Sequence, residues 1–140
     1  MTKWIDGVPT TQGIYWVDAG FGIVLVARVG TESYVYGHGG SFPLRETEQF
    51  KYALIKLPTK WSELKNPSDC GKGKAHAWLK SPEGYTGLGL IYPDAHGLVG
   101  SVIWYDHPTL GSTHGAWIRP TDKYMFHRVR APKPAKVRKV

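Results

Sequence analysis

Gly13-Ile14-Tyr15-Trp16-Val17-Asp18-Ala19-Gly20-Phe21-Gly22-Ile23-Val24-Leu25-Val26-Ala27-Arg28-Val29-Gly30, followed after a turn by Ser33-Tyr34-Val35-Tyr36, is the densest run of β-branched and aromatic residues in the chain. Such residues suit a pleated, half-buried surface, and the glycines that interrupt them mark turns. Alternation places Ile14 and Trp16 on one face of a first strand and Tyr15 and Val17 on the other. Ala19 to Gly22 supplies the small residues of a tight hairpin. Ile23 to Val29 is apolar on both faces until Arg28, the pattern of a central strand. Tyr34 and Tyr36 then present two rings on one face, and Gly37-His38-Gly39-Gly40 closes the meander. The stretch reads as the centre of a mainly β fold.

Outward from it, the second half repeats the idiom. Ala75–Leu79, Thr86–Tyr92, Leu98–Tyr105, Ala116–Arg119 and Tyr124–Val129 are strand candidates parted by Gly, Pro or Asp turns. Short strands at that spacing predict a small antiparallel barrel or a two-sheet sandwich. Residues 1–12 form an opening strand or arm. Residues 45–57 fit a helix through Phe50, Ala53, Leu54 and Leu57, and fit a strand equally through Phe50, Tyr52 and Leu54. A short helical turn is expected within residues 60–65. One β-rich domain over residues 1–130 and a Pro-containing tail over 131–140 complete the organisation.

The formal net charge of +7 on 140 residues is unevenly placed. Arg119, Lys123, Arg128, Arg130, Lys133, Lys136, Arg138 and Lys139 face a single acid, Asp122, in the last 22 residues, while residues 1–118 are balanced. A cationic strap on a neutral body points to an anionic partner, DNA, RNA or a nucleoprotein complex. Tyr34 and Tyr36 add rings able to stack bases. Solvent-facing rings would equally anchor a protein partner. The lone Cys70 excludes an internal disulfide and suits a reducing compartment. With no signal-like apolar leader and no segment near ~20 apolar residues, the expectation is a soluble cytoplasmic protein with no membrane partner.

Trp4-Ile5-Asp6-Gly7, Pro9, Gly13-Ile14-Tyr15-Trp16-Val17 and Val26-Ala27-Arg28-Val29 together resemble the opening of small, uncharacterised bacteriophage proteins. The resemblance covers roughly residues 4–57. It implies a phage accessory protein with a small β-sheet or SH3-like core, acting in host cytoplasm, and carries no active site.

Several residues have the chemistry of catalysis or metal binding. Asp94, His96, Asp106, His107 and His114 fall in turns flanking one predicted strand, where imidazole and carboxylate ligands would hold zinc with an open position, but the His-x-x-x-His and Cys-x-x-Cys spacings are lacking. His107-Pro108-Thr109-Leu110 is similar to the His-x-Thr-apolar element of two-histidine phosphoesterases, whose second copy this chain lacks. Cys70, beside Lys72 and Lys74, would need one of His96, His107 or His114 to act as a nucleophile. The Gly71-Lys72-Gly73-Lys74 loop offers backbone and ammonium groups to phosphate without P-loop spacing. The sequence therefore favours a binding protein without cofactor, with a host-protein modulator and a His-dependent hydrolase as alternatives.

Overall fold

The computed structural model describes residues 3–18, 20, 24–29, 34–37, 40–43, 50–109 and 111–134, with side chains of 34–37 and 40–43 left aside. The chain is mainly β. It divides into two compact units, residues 1–56 with 131–140, and residues 57–130. Each unit has its own antiparallel sheet, and neither strand order closes on itself into a barrel.

In the first unit the described strands are β1 (Ile5–Asp6), β2 (Gly13–Asp18), β3 (Val24–Val29), β4 (Tyr34–Gly37), β5 (Gly40–Pro43) and β6 (Lys51–Leu54), in the order β1-β6-β2-β3-β4-β5. β2 and β3 pair from Gly13↔Val29 to Asp18↔Val24, so the opening stretch is a hairpin in the middle of the sheet. Tyr15, Val17, Ala27, Val29 and Tyr52 form a core on one face, with Val8 and Phe50 packed against it. Tyr15 meets Tyr52 edge-on at 6.3 Å between centroids, and its hydroxyl donates to the Thr11 carbonyl at 2.7 Å. The opposite face of β2 is buried too, through Ile14 and Trp16. A neighbouring pair such as Tyr15 and Trp16 therefore does not split into one inner and one outer ring.

Two readings of the sequence are corrected here. Gly37-His38-Gly39-Gly40 does not end the meander: Gly37 pairs with Gly40 and Tyr34 with Pro43, which adds β5. Within 45–57, Lys51–Leu54 is the strand β6, held between β1 and β2 by Tyr52↔Ile5 and Tyr52↔Val17. Strand pairing settles what periodicity left open. Residues 45–49 of that expected helix lie outside the described residues.

The second unit comprises β7 (Ser62–Glu63), β8 (Ala75–Lys80), β9 (Thr86–Pro93), β10 (Leu98–Trp104), β11 (Ser112–Ile118) and β12 (Met125–Val129), in the order β11-β10-β9-β8-β12-β7. The helical turn expected within 60–65 is absent; Ser62 and Glu63 pair with Phe126 and Met125 instead. The 3₁₀ turns here are Pro67–Cys70 and Pro120–Asp122. One face of the sheet carries Ala77, Leu79, Ile91, Leu98, Val102, Trp104 and Ile118, covered by Leu64, Cys70, Tyr85, Tyr124 and Phe126. Gly87 and Gly89 lie on this face between bulky neighbours. A Cβ at Gly87 would stand 2.7 Å from Val102 Cγ1, so glycine is what lets β9 and β10 carry large residues side by side. Trp78, Leu88 and Ile103 are buried on the opposite face.

Candidate functional site

The second unit gathers chemistry at two opposite ends of its sheet. The first is basic. β12 pairs with β8 through Arg128↔Ala77 and Val129↔His76. That register carries Arg128 and Arg130 alongside the loop that leads into Ala75, the Gly71-Lys72-Gly73-Lys74 segment. Arg128 Nη2 lies 3.4 Å from the position a Cβ on Gly71 would take. Lys72, Lys74, Arg128 and Arg130 are all exposed, and so, in the other unit, is Lys133. The nearby carboxylate of Asp69 is spent on its own turn: it accepts the backbone N–H of Lys65 at 2.8 Å and of Asn66 at 2.9 Å, which holds its pKa below the usual carboxylate value. Among the described residues, no carboxylate lies in ion-pair range of these five cations.

Arg119 and Lys123 sit elsewhere, around the Pro120–Asp122 turn. Arg119 is held by Asp122, whose carboxylate accepts its backbone N–H at 2.8 Å and faces its guanidinium at 3.5 Å. Its guanidinium also stands 5.7 Å from the Trp117 ring centre. Lys123 is exposed and left-handed, with φ of 59°, and borders a groove with Lys65 and Tyr124. Lys136, Arg138 and Lys139 lie outside the described residues, as do the rings of Tyr34 and Tyr36.

The second end is aromatic. A cleft of about 380 Å³ opens over the Val102, Trp104, Ala116 and Ile118 side of the sheet, walled by Tyr85, His107 and Tyr124 and rimmed by Ser81, Glu83, Thr113 and Trp117. Local hydrogen bonds set its walls. The β8–β9 connection is a tight loop in which Ser81 N–H donates to the Tyr85 carbonyl at 2.9 Å and Tyr85 N–H donates to Ser81 Oγ at 3.1 Å. Asp106 Oδ1 accepts the Thr86 N–H at 2.6 Å, which ties the segment after β10 to the start of β9. His107 is thereby laid against Tyr85 and Trp104, at 4.7 and 5.4 Å between ring centres. Trp104 Nε1 donates to Thr113 Oγ1 at 2.9 Å. Burial, then the charges of Glu83 and Asp122, push the Tyr124 phenol's pKa up.

The residues singled out for metal or hydrolytic chemistry are not gathered in one place. Asp94 accepts from the backbone N–H groups of His96 and Gly97 at 2.7 and 2.8 Å, closing the β9–β10 turn. Asp106 and His107 follow β10 at its other end, about 20 Å away along a seven-residue strand. His114 is exposed on the edge strand β11, with Ser112 Oγ 3.5 Å from its Nε2. Among the described residues, no group of three His, Cys, Asp or Glu is placed to hold a metal ion. Cys70 is only 2 % exposed, and burial, with the Asp69 charge adding to it, raises its thiol pKa to about 12 against the opposing pull of Arg128. The two lysines nearby do not activate it; the sulfur sits inside the core, where the thiolate is disfavoured.

Sequence reasoning identified the cations but not the cleft. Ser81, Glu83, Tyr85 and Tyr124 come from two loops far apart in the chain, and no local signal says that they meet. Comparison with protein-family models, with curated proteins and with solved structures finds no match.

Proposed function

We propose that this chain is a non-enzymatic binding protein whose basic end contacts a polyanion, a nucleic acid or a nucleoprotein complex. One observation carries the reading. The β8–β12 register sets Lys72 and Lys74 beside Arg128 and Arg130, all exposed and none in ion-pair range of a described carboxylate. Four cations on adjacent segments match a phosphate backbone better than any single anion. Phosphate contacts of this kind give affinity without reading sequence. Inert placement of Cys70 and the separation of Asp94 and His96 from His107 favour binding over hydrolysis. The phage-like idiom of residues 4–57 supports an accessory role in host cytoplasm.

The test is capture from a bacterial lysate on the immobilised full chain, with and without nuclease. Nucleic acid should be retained, and nuclease should release it along with any protein that travels with it. Retention of the same proteins after complete digestion would replace this reading with that of a modulator that binds a host protein directly.

A further inference from the structure

The aromatic cleft has a sign opposite to that of the chain. Of the described residues lining it, none is a lysine or arginine, one is a carboxylate, Glu83, and one an imidazole, His107. Lys123 is next in sequence to Tyr124 but lines a separate groove. Arg119, over the Trp117 ring at the rim, is engaged by Asp122. Trp104 Nε1 is engaged with Thr113 Oγ1, and Ser81 Oγ with the Tyr85 N–H. The lining offers aromatic rings and one carboxylate, an arrangement that attracts a cation.

We propose that this cleft takes a basic side chain, lysine or arginine, presented by a protein partner. The ring faces of Tyr85, Trp104 and Tyr124 receive the apolar stem and the edge of the cation, while Glu83 at the rim supplies the counter-charge. A protein source rather than a free amine follows from the rim. Glu83 is exposed, and Trp117 on the edge strand β11 is 53 % exposed, a large apolar side chain beside the opening. An open cleft holds a small cation poorly, but it suits a side chain whose parent surface also covers Trp117. The proposal does not rest on the polyanion reading, because it concerns the opposite end of the sheet and the opposite charge.

The experiment titrates the full chain with a capped Ala-Ala-Lys-Ala-Ala peptide, its arginine and norleucine counterparts, and n-butylamine, following the indole N–H resonances. The lysine or arginine peptide should shift the Trp104 and Trp117 signals saturably. The norleucine peptide, equal in length and uncharged, should bind about fivefold more weakly or worse. Glu83→Gln, on an exposed loop and so without effect on folding, should cost the basic peptide a similar factor and leave the norleucine peptide unchanged. Equal affinity for lysine and norleucine, no saturable shift with either basic peptide, or indifference to Glu83→Gln would each overturn the proposal. Butylamine binding as tightly as the peptide would overturn the protein source.

Discussion

Replacing Gly87 by alanine tests the packing on which both the fold of the second unit and its cleft depend. The added methyl would stand 2.7 Å from Val102 Cγ1, 3.0 Å from the Ile103 carbonyl oxygen and 3.0 Å from Trp104 Cε3. None of the three can give way freely. Val102 is 0 % exposed, the carbonyl is part of a strand, and Trp104 is tied to Thr113. Overpacking of this kind costs about 1–3 kcal/mol. Removing a strand glycine returns roughly 0.5–1 kcal/mol through the unfolded chain. The net expectation is destabilisation centred near about 1 kcal/mol and reaching at most about 2.5 kcal/mol. Gly73 is the control, since nothing lies within 4 Å of its virtual Cβ; Gly73→Ala should move stability by no more than about 0.5 kcal/mol. Urea unfolding followed by tryptophan fluorescence reads both, with the midpoint falling only for Gly87→Ala. Displacement of Trp104 should also shift its indole N–H resonance. If Gly87→Ala matches the parent, or Gly73→Ala is equally destabilised, the close packing of β9 on β10 described here is wrong.

Further outcomes follow from buried and hydrogen-bonded groups. Cys70, buried with a raised thiol pKa, should resist a disulfide reagent at neutral pH in the folded chain and react at the rate of unfolding; rapid stoichiometric reaction would refute its burial. Asp69→Ala removes the acceptor of two backbone N–H groups and should cost about 1 kcal/mol in urea unfolding, with Asp69→Asn recovering part of it. Burial pushes the His76 imidazole's pKa down, so the folded chain favours the neutral form. The associated stability is present above the unfolded value of ~6.5 and is lost as pH falls through the depressed folded value. His76→Gln should flatten that acid-side decline; an unchanged slope would mean that His76 does not contribute to it.

Most strands were legible because alternation and turn residues agree. Ile14–Ala19 reads nearly as β2 and Leu98–Tyr105 nearly as β10. The failures have physical causes. The apolar positions of residues 50–57 serve a helix or a strand alike, and only the partners of Tyr52 decide. Ser62–Glu63 is too short to carry a period, so its pairing with β12 left no local signal. Tyr15 and Trp16 break the inner-outer rule because β2 is buried on both faces. The cations of 119–133 were visible as a count, but their division was not. Asp122 engages Arg119 beyond the edge strand β11, while strand register sends Arg128 and Arg130 to the Lys72–Lys74 loop beside β8. The cleft was hidden for the same reason, since Glu83, His107 and Tyr124 meet only after β8, β9, β10 and β12 have paired.

The most direct test of the polyanion reading is the salt dependence of affinity for a fluorescent single-stranded oligonucleotide. Anisotropy titrations of the full chain at several salt concentrations should give a linear fall of log affinity with log salt. Each phosphate contact adds about 0.7 to the slope. Lys72→Gln, Lys74→Gln, Arg128→Gln and Arg130→Gln combined should lower the slope by up to about 3. An affinity that does not change with salt, or a slope untouched by the fourfold substitution, would contradict the account.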